Sequence, residues 1–344
     1  MRRRSRAPAG GEHALIHGDL WALTALPATL AIVGAAATGC QLASICAAFG
    51  ARVRLLDHAP RLLAGEDPLV SREVGAAFAR RGIEVVAGIA GVERIEPAAD
   101  GYRLSYARGG ETRTVTVGAV VAAIGWVGNL EGLDLAAAGV ATAHGHVVTD
   151  DTLRTTAPHI FAAGDLTGRL TLVQGATTEG ALAAENAVLA RGRPLRHAVV
   201  PHGGFTDPEY AGVGPTEEQA RRTADLAVAT VPYADLDRAV IDGHTAGACK
   251  LLACRATRRV LGAHIVGEQA VEVVQVVAAA VRAGLRVEQL AELELAYPTY
   301  TAVVGLAARR IARQLGAVPV APGRRPDAEW ERAGAAPDED SRAP

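Results

Sequence analysis

The chain has 344 residues, 49% hydrophobic and 21% charged, a globular composition long enough for two or three domains. Its 37 acidic and 35 basic residues leave a net charge of −2, so neither nucleic acid nor an anionic membrane is favoured as a partner. Aromatics are few (3 Trp, 6 Tyr, 4 Phe), so the core must be mostly Ala, Val and Leu, and Lys250 is the single lysine among many arginines.

Arg2, Arg3 and Arg4 form a basic start, but residues 5–17 hold no apolar run of signal-peptide length. Residues 1–18 are polar and Gly/Pro-containing, and are expected to be a disordered tail. Residues 20–51 carry no charge, yet Pro27, Gly34 and Gly39 interrupt them and the pattern turns from strand-like to helical, so a strand–turn–helix unit is expected and not a membrane span. The run 30–34 ends in Gly, as a buried parallel strand does. Residues 38–49 have helix-forming composition and stop at Gly50, 52–57 form a second strand, 67–81 a helix ended by Gly82, and 83–87 a third strand. This β-α-β-α-β order implies a parallel sheet with right-handed crossovers. Segments 92–96, 102–107 and 112–117, separated by Asp100-Gly101 and Gly109-Gly110, read as an antiparallel meander. Residues 119–124 form another buried strand, 147–153 and 159–163 are expected to be strands, and 178–190 a helix.

After Pro194 the pattern changes. Segments 227–233, 248–255 and 260–266 suggest an antiparallel sheet, and Thr216-x-x-Gln219 is a capping-box helix start. Residues 271–283 are a strongly apolar helix and 301–315 an amphipathic one; residues 319–344 are expected to be a disordered tail.

The four cysteines do not make a disulfide scaffold. Cys40 and Cys46 lie six apart on one helix. Cys249 and Cys254 have a tempting C-x4-C spacing, but they fall on one strand, where five residues span roughly 17 Å and reverse the face. The chain reads as cytoplasmic, with free thiols. His144 and His146 flank Gly145 with no third ligand near in sequence, so no metal site is expected.

Chemistry concentrates in two motifs. Gly34-Ala35-Ala36-Ala37-Thr38-Gly39 joins a strand to a helix and is a G-x-A-x-x-G form of the dinucleotide fingerprint. Gly34 makes the tight turn, Ala36 faces the pyrophosphate, and Gly39 lets the helix pack closely on the sheet. Asp57 ends the next strand, where a carboxylate accepts ribose hydroxyls and repels a 2′-phosphate, so NAD is favoured over NADP, although Arg52, Arg54 and Arg61 keep NADP open. The bland alternative is a plain buried strand–helix turn. In the second motif, Ile160-Phe161-Ala162-Ala163-Gly164-Asp165, Gly164 lets a ligand approach the backbone and Asp165 can accept hydrogen bonds from sugar-like hydroxyls.

Together with Val121-Ala122-Ala123-Ile124-Gly125, Phe205-Thr206-Asp207-Pro208-Glu209, Leu261-Gly262-Ala263-His264-Ile265-Val266-Gly267 and Tyr297-Pro298-Thr299, these motifs make the chain resemble the flavoprotein pyridine nucleotide–disulfide oxidoreductases from about Leu26 to Leu315. The resemblance implies an α/β fold: a Rossmann-like NAD(P)-binding domain over 19–126, a partial FAD domain over 127–196, and an α+β dimerisation domain over 197–318. It implies that Gly34 to Gly39 bind NAD(P), that Gly125 lies where the nicotinamide domain returns to the flavin domain, and that Asp165 binds the ribityl chain of FAD. A homodimer is expected, also because the 271–283 helix is too apolar to be solvated on all sides.

Departures from the family pattern shape the functional expectation. The family's N-terminal flavin-binding half, with its own glycine turn and redox C-x4-C helix, is expected to be missing, so the FAD pyrophosphate has no evident seat. The family's His-Pro-Thr motif reads Tyr297-Pro298-Thr299 here, Ala302 stands where its Glu is expected, and Gln41 replaces the acid that commonly follows the fingerprint. A tyrosine with a pKa near 10 is a poor base at neutral pH; no catalytic residue is assigned. The expectation is an NAD(P)H-dependent, FAD-linked oxidoreductase that is poor or inactive alone as a disulfide reductase. The alternative is a non-catalytic nucleotide-binding and dimerisation remnant, or one half of a split flavoprotein whose FAD-binding half is separately encoded.

Overall fold

The computed structural model describes residues 9–197 and 199–317. A short helix, α1 (His17–Leu20), precedes the parallel unit formed by β1 (Thr29–Val33), α2 (Ala37–Ala48), β2 (Arg52–Asp57), α3 (Pro68–Arg80) and β3 (Glu84–Ala87). A meander of β4 (Gly91–Ala98), β5 (Gly101–Arg108) and β6 (Glu111–Val117) follows, and β7 (Ala119–Ala122) returns to the parallel sheet, whose order is β3-β2-β1-β7. Leu30, Ala31 and Ile32 are fully buried because β1 has parallel neighbours on both sides and cover on both faces. The two-residue period divides the load. Leu30, Ile32 and Leu55 join Val74 and Phe78 of α3, while Ala31 and Leu56 join Leu104 and Tyr106 of the meander.

Helix ends are written locally. Asp67 caps α3 by accepting the Leu69 amide at 2.9 Å, and Pro68 occupies the first turn, where a missing N–H costs nothing. Gly82 (φ +73) closes the same helix, and the Ile83 amide reaches back to the Phe78 carbonyl at 2.9 Å.

Beyond β7 come two minimal strands, β8 (Thr142–Ala143) and β9 (His146–Val147), then α4 (Val173–Leu189). The second sheet has the order β10-β11-β14-β13-β12 and is antiparallel. In chain order it comprises β10 (His202–Gly204), β11 (Tyr210–Val213), α5 (Glu217–Arg221), β12 (Leu226–Pro232), α6 (Asp237–Asp242), β13 (Ala248–Cys254), β14 (Val260–Val266), α7 (Ala270–Ala283), α8 (Val287–Glu292) and α9 (Ala302–Gln314). Both halves of the predicted capping box are present at Thr216 and Gln219.

Four expectations change. Residues 9–18 are not a free tail: the Leu15 amide donates to the Val120 carbonyl at 2.8 Å, the Ala122 amide donates to Leu15 at 2.7 Å, and Ala9 bridges Arg94. Strand β7 is an edge whose backbone groups need partners, and a polar segment can supply them whatever its side chains. Segments 147–153 and 159–163 are not continuous strands; they make isolated bridges, Thr149 with Thr155 and Arg154 with Phe161. The Asp150 carboxylate takes the Thr152 and Arg154 amides at 2.8 and 3.0 Å, which removes donors that a ladder would need. The strand expected over 119–124 ends at Ala122. Helix α7 buries Val273, Val274 and Val277 in the core it shares with the second sheet, so its apolar character is satisfied within the chain and does not itself require a partner. The tail expected over 319–344 lies outside the described residues, among which no helix is long and apolar enough to cross a membrane.

Candidate dinucleotide site

The carboxyl ends of β1, β2 and β7 bring Gly34, Ala36, Gly39, Asp57 and Gly125 to one edge of the parallel sheet. The sheet order reverses direction there, which is where open α/β sheets bind ligands. Gly34 has φ +107, and a β-carbon on it would overlap the Ala123 carbonyl oxygen. A β-carbon on Gly39 would overlap the Gly34 carbonyl oxygen, so α2 lies directly on the turn. Ala36 is the N-cap of α2, exposed and extended (φ −79, ψ −172), with no side-chain oxygen to satisfy the first-turn amides. Its own carbonyl accepts the Cys40 amide at 3.0 Å.

Asp57 braces this cradle. One carboxylate oxygen accepts the Ala35 amide, and the other accepts the Ala59 amide at 2.7 Å and lies 3.1 Å from His58 Nδ1. A carboxylate has about four acceptor positions, so capacity remains for hydroxyl donors. The arginines that left NADP open are placed. Arg54 is paired to Glu84 at 2.7 Å, and the Arg61 guanidinium is folded onto the carbonyls of Leu63, Ala64 and Glu66 and onto Ser71. Arg52 starts β2, at the end of the strand remote from Asp57. Gly125 (φ +114) has open space where a β-carbon would stand, and Trp126 beside it meets His17 edge-on with centroids 4.6 Å apart.

Gly164 and Asp165 sit apart from that sheet, on the turn that precedes α4. Gly164 adopts φ 78, ψ −159, a region essentially limited to glycine. Its amide donates to Glu179 Oε2 at 2.7 Å, and Asp165 presents an exposed carboxylate.

Burial raises the pKa of Cys40, Cys46 and Cys249, whereas hydrogen bonds from Thr257 lower that of Cys254. All four cysteines are free. Burial, reinforced by the Asp57 charge, pushes Cys40 up to about 12, and burial pushes Cys249 up to about 12. Tyr297 is 76% exposed, and its hydrogen bond to Asp237 raises the phenol further from neutrality. Ala302, at the position of the expected Glu, opens α9. Gln41 accepts the Phe205 amide at 3.0 Å and donates to the Ala37 carbonyl at 3.1 Å, joining the fingerprint helix to the second sheet's leading segment.

Sequence reasoning missed two buried charge clusters. Lys250 Nζ on β13 donates to Asp67 Oδ1, the N-cap of α3, at 2.7 Å and to Glu217 Oε2 of α5 at 2.8 Å. A lone lysine inside the apolar run Ala248–Cys254 was the available signal. Glu179 is fully buried on α4, and no spacing pattern marks it.

A parallel sheet carrying a glycine-tight turn, an open helix N-terminus and an acid on the neighbouring strand defines a Rossmann-like α/β domain. The comparisons with known proteins narrow the class. The family described as pyridine nucleotide-disulphide oxidoreductase matches residues 7–180, and that family's dimerisation domain matches residues 200–308. The chain belongs to this family. It is 33% identical over 288 residues to a mercuric reductase of Lysinibacillus sphaericus, covering 83% of this chain and 53% of the relative. It is 31% identical over 296 residues to a dihydrolipoyl dehydrogenase of Chlorobaculum tepidum, covering 86% and 63%. Among solved structures, the HOCl-induced flavoprotein disulfide reductase RclA from Escherichia coli superposes with a TM-score of 0.82 at 27% identity, covering 90% of this chain and 71% of that one. The chain spans about half to two thirds of the length of these curated relatives.

Proposed function

We propose that this chain is the NAD(H)-binding and dimerising portion of a cytoplasmic, FAD-linked oxidoreductase, with residues 19–126 as the dinucleotide unit. The observation that carries the reading is the cradle at Gly34, Ala36 and Gly39. A side chain at either glycine would collide with backbone, and the neighbouring acid, Asp57, has no free guanidinium beside it among the described residues. Nicotinamide, when bound, supplies a hydride, and a flavin accepts it. The chain's own residues bind and orient. Amides at the start of α2 take phosphate charge, Asp57 takes ribose hydroxyls and disfavours a 2′-phosphate, and Gly125 leaves backbone access beside the turn.

The second motif fits a polyol ligand. Asp165 exposes an acceptor on a rigid turn, and the family uses FAD. No second glycine-rich strand–helix turn occurs among the described residues, so a complete FAD site is proposed to need a further flavin-binding half, in the same polypeptide or a separate one. The exposed Val173 and Val188 of α4, 83% and 80% accessible, support a packing partner there. Thiol–disulfide exchange is not proposed for this chain's own residues, because its cysteines are unpaired and mostly buried.

Titration of the purified chain with NADH and with NADPH tests the dinucleotide reading. Tighter NADH binding, lost on Gly39→Ala, is expected; equal or tighter NADPH binding refutes the NAD preference. A bound-flavin band in the visible spectrum with added FAD supports the oxidoreductase reading over that of a nucleotide-binding remnant, and light scattering tests the dimer.

A further inference from the structure

Glu179 lies on α4 with none of its side chain exposed. A buried carboxylate is costly unless its oxygens are taken up by donors. Here Oε2 accepts the Gly164 amide at 2.7 Å and faces Thr167 Oγ1 at 3.4 Å, while Oε1 lies 3.3 Å from His197 Nε2. Both oxygens therefore act on the turn that carries Asp165 and on the segment leaving α4. The same turn is pressed from below, since a β-carbon on Gly164 would stand 3.2 Å from the Ala176 β-carbon. Thr167 closes it on the far side, with its amide at 2.9 Å and its hydroxyl at 2.8 Å from the Gly164 carbonyl. Between these fixed points Asp165 is exposed, and no described residue donates to its carboxylate.

We infer that Glu179 is a positioning residue: its buried carboxylate anchors the Gly164 amide and so holds the Asp165 carboxylate in the orientation in which it accepts hydroxyls of a polyol ligand. The ligand assignment rests on the flavin reading above; the anchoring does not. The geometry makes the two separable. Among the described residues Glu179 makes its hydrogen bonds with the Gly164 amide, Thr167 and His197, whereas Asp165 exposes an acceptor that none of them takes up.

The test uses the full chain with three variants, Glu179→Ala, Glu179→Gln and Asp165→Asn, and two readouts. The first is amide hydrogen exchange by mass spectrometry without ligand. Losing a hydrogen bond to a charged group speeds local exchange by about tenfold to a hundredfold, so Glu179→Ala should accelerate peptides spanning 162–168 while those of α4 stay at wild-type rates. Glu179→Gln, which keeps an acceptor oxygen and the volume, should fall between. The second readout is the dissociation constant for FAD by flavin fluorescence, expected to weaken about tenfold or more in Glu179→Ala and in Asp165→Asn, with partial rescue in Glu179→Gln and unchanged NADH binding throughout. Unchanged exchange at 162–168 overturns the inference, as does acceleration spread along all of α4, which would mark a helix-docking role. If the wild-type chain alone binds no FAD, as the need for a further flavin-binding half allows, the exchange experiment still decides the role of Glu179.

Discussion

Replacing Lys250 with Met tests how the second sheet is joined to the N-terminus of α3. The ammonium is 11% exposed and bridges Asp67, which is fully buried, and Glu217, which is 25% exposed. Breaking a buried pair by removing one partner costs about 3–5 kcal/mol. Asp67 would retain the Leu69 and Glu217 amides at 2.9 and 3.0 Å, and Glu217 would retain Arg221 at 2.6 Å. The lower end, about 3 kcal/mol, is therefore expected, or a fall of about 6–12 °C in Tm for a domain of this size. Asp67→Asn keeps a helix cap and should cost less. The double variant removes both charges, so its loss should be smaller than the summed singles by about 2 kcal/mol. Urea unfolding of the four proteins measures this. Acid provides an independent check. Burial acts to raise the Asp67 carboxyl, but hydrogen bonds from Lys250 and from the Glu217 and Leu69 amides outweigh it and hold the group below its ordinary value. Its contribution is thus full above about pH 4 and is lost as pH falls through the lower folded value. In Lys250→Met that acid limb should flatten. A single variant within about 0.5 kcal/mol of wild type, or strict additivity in the double, refutes the reasoning.

Gly39→Ala should abolish measurable NADH binding, because its methyl would overlap the Gly34 carbonyl oxygen, and should cost about 1–3 kcal/mol of stability; retained binding in a calorimetric titration defeats the cradle. Hydrogen bonding with Glu66 raises the His202 pKa against the effect of its burial. That pair's contribution is full below about pH 6.5 and is lost as pH rises through the raised folded value, so stability measured from pH 6 to 9 should fall in wild type and fall less in His202→Gln; parallel curves count against it. A thiol reagent on the native protein should modify Cys254 first, since hydrogen bonds from Thr257 lower its pKa, while Cys40 and Cys249, held up to about 12, stay protected; early labelling of Cys249 found by peptide mapping contradicts this.

The legible parts of the sequence were those that local physics decides. Strand β14 occupies residues 260–266 as its apolar run requires, and β2 occupies 52–57 between its breakers. Glycines at 50 and 82, both with positive φ, stop their helices where the pattern indicates. The illegible parts depend on partners remote in sequence. Leu15 becomes strand-like only because β7 has an open edge some hundred residues away. Segments 147–153 and 159–163 have strand composition but form only isolated bridges, with the Asp150 carboxylate taking the Thr152 and Arg154 amides.

The same division runs through the candidate site. Gly34 and Gly39 are readable because close backbone approach permits no other residue, and that requirement is local to one turn. Asp57 is readable as an acid at a strand end, but its bracing of Ala35 is not, because either role fits the same position. Arg54 and Arg61 show the limit most clearly. As sequence they are two cations near the acid at the end of β2; as structure one is neutralised by Glu84 and the other is consumed by three backbone carbonyls. Which charges are left unpaired at this edge of the sheet therefore depends on the folded pairing of Arg54 and Arg61, which no local reading of the sequence supplies.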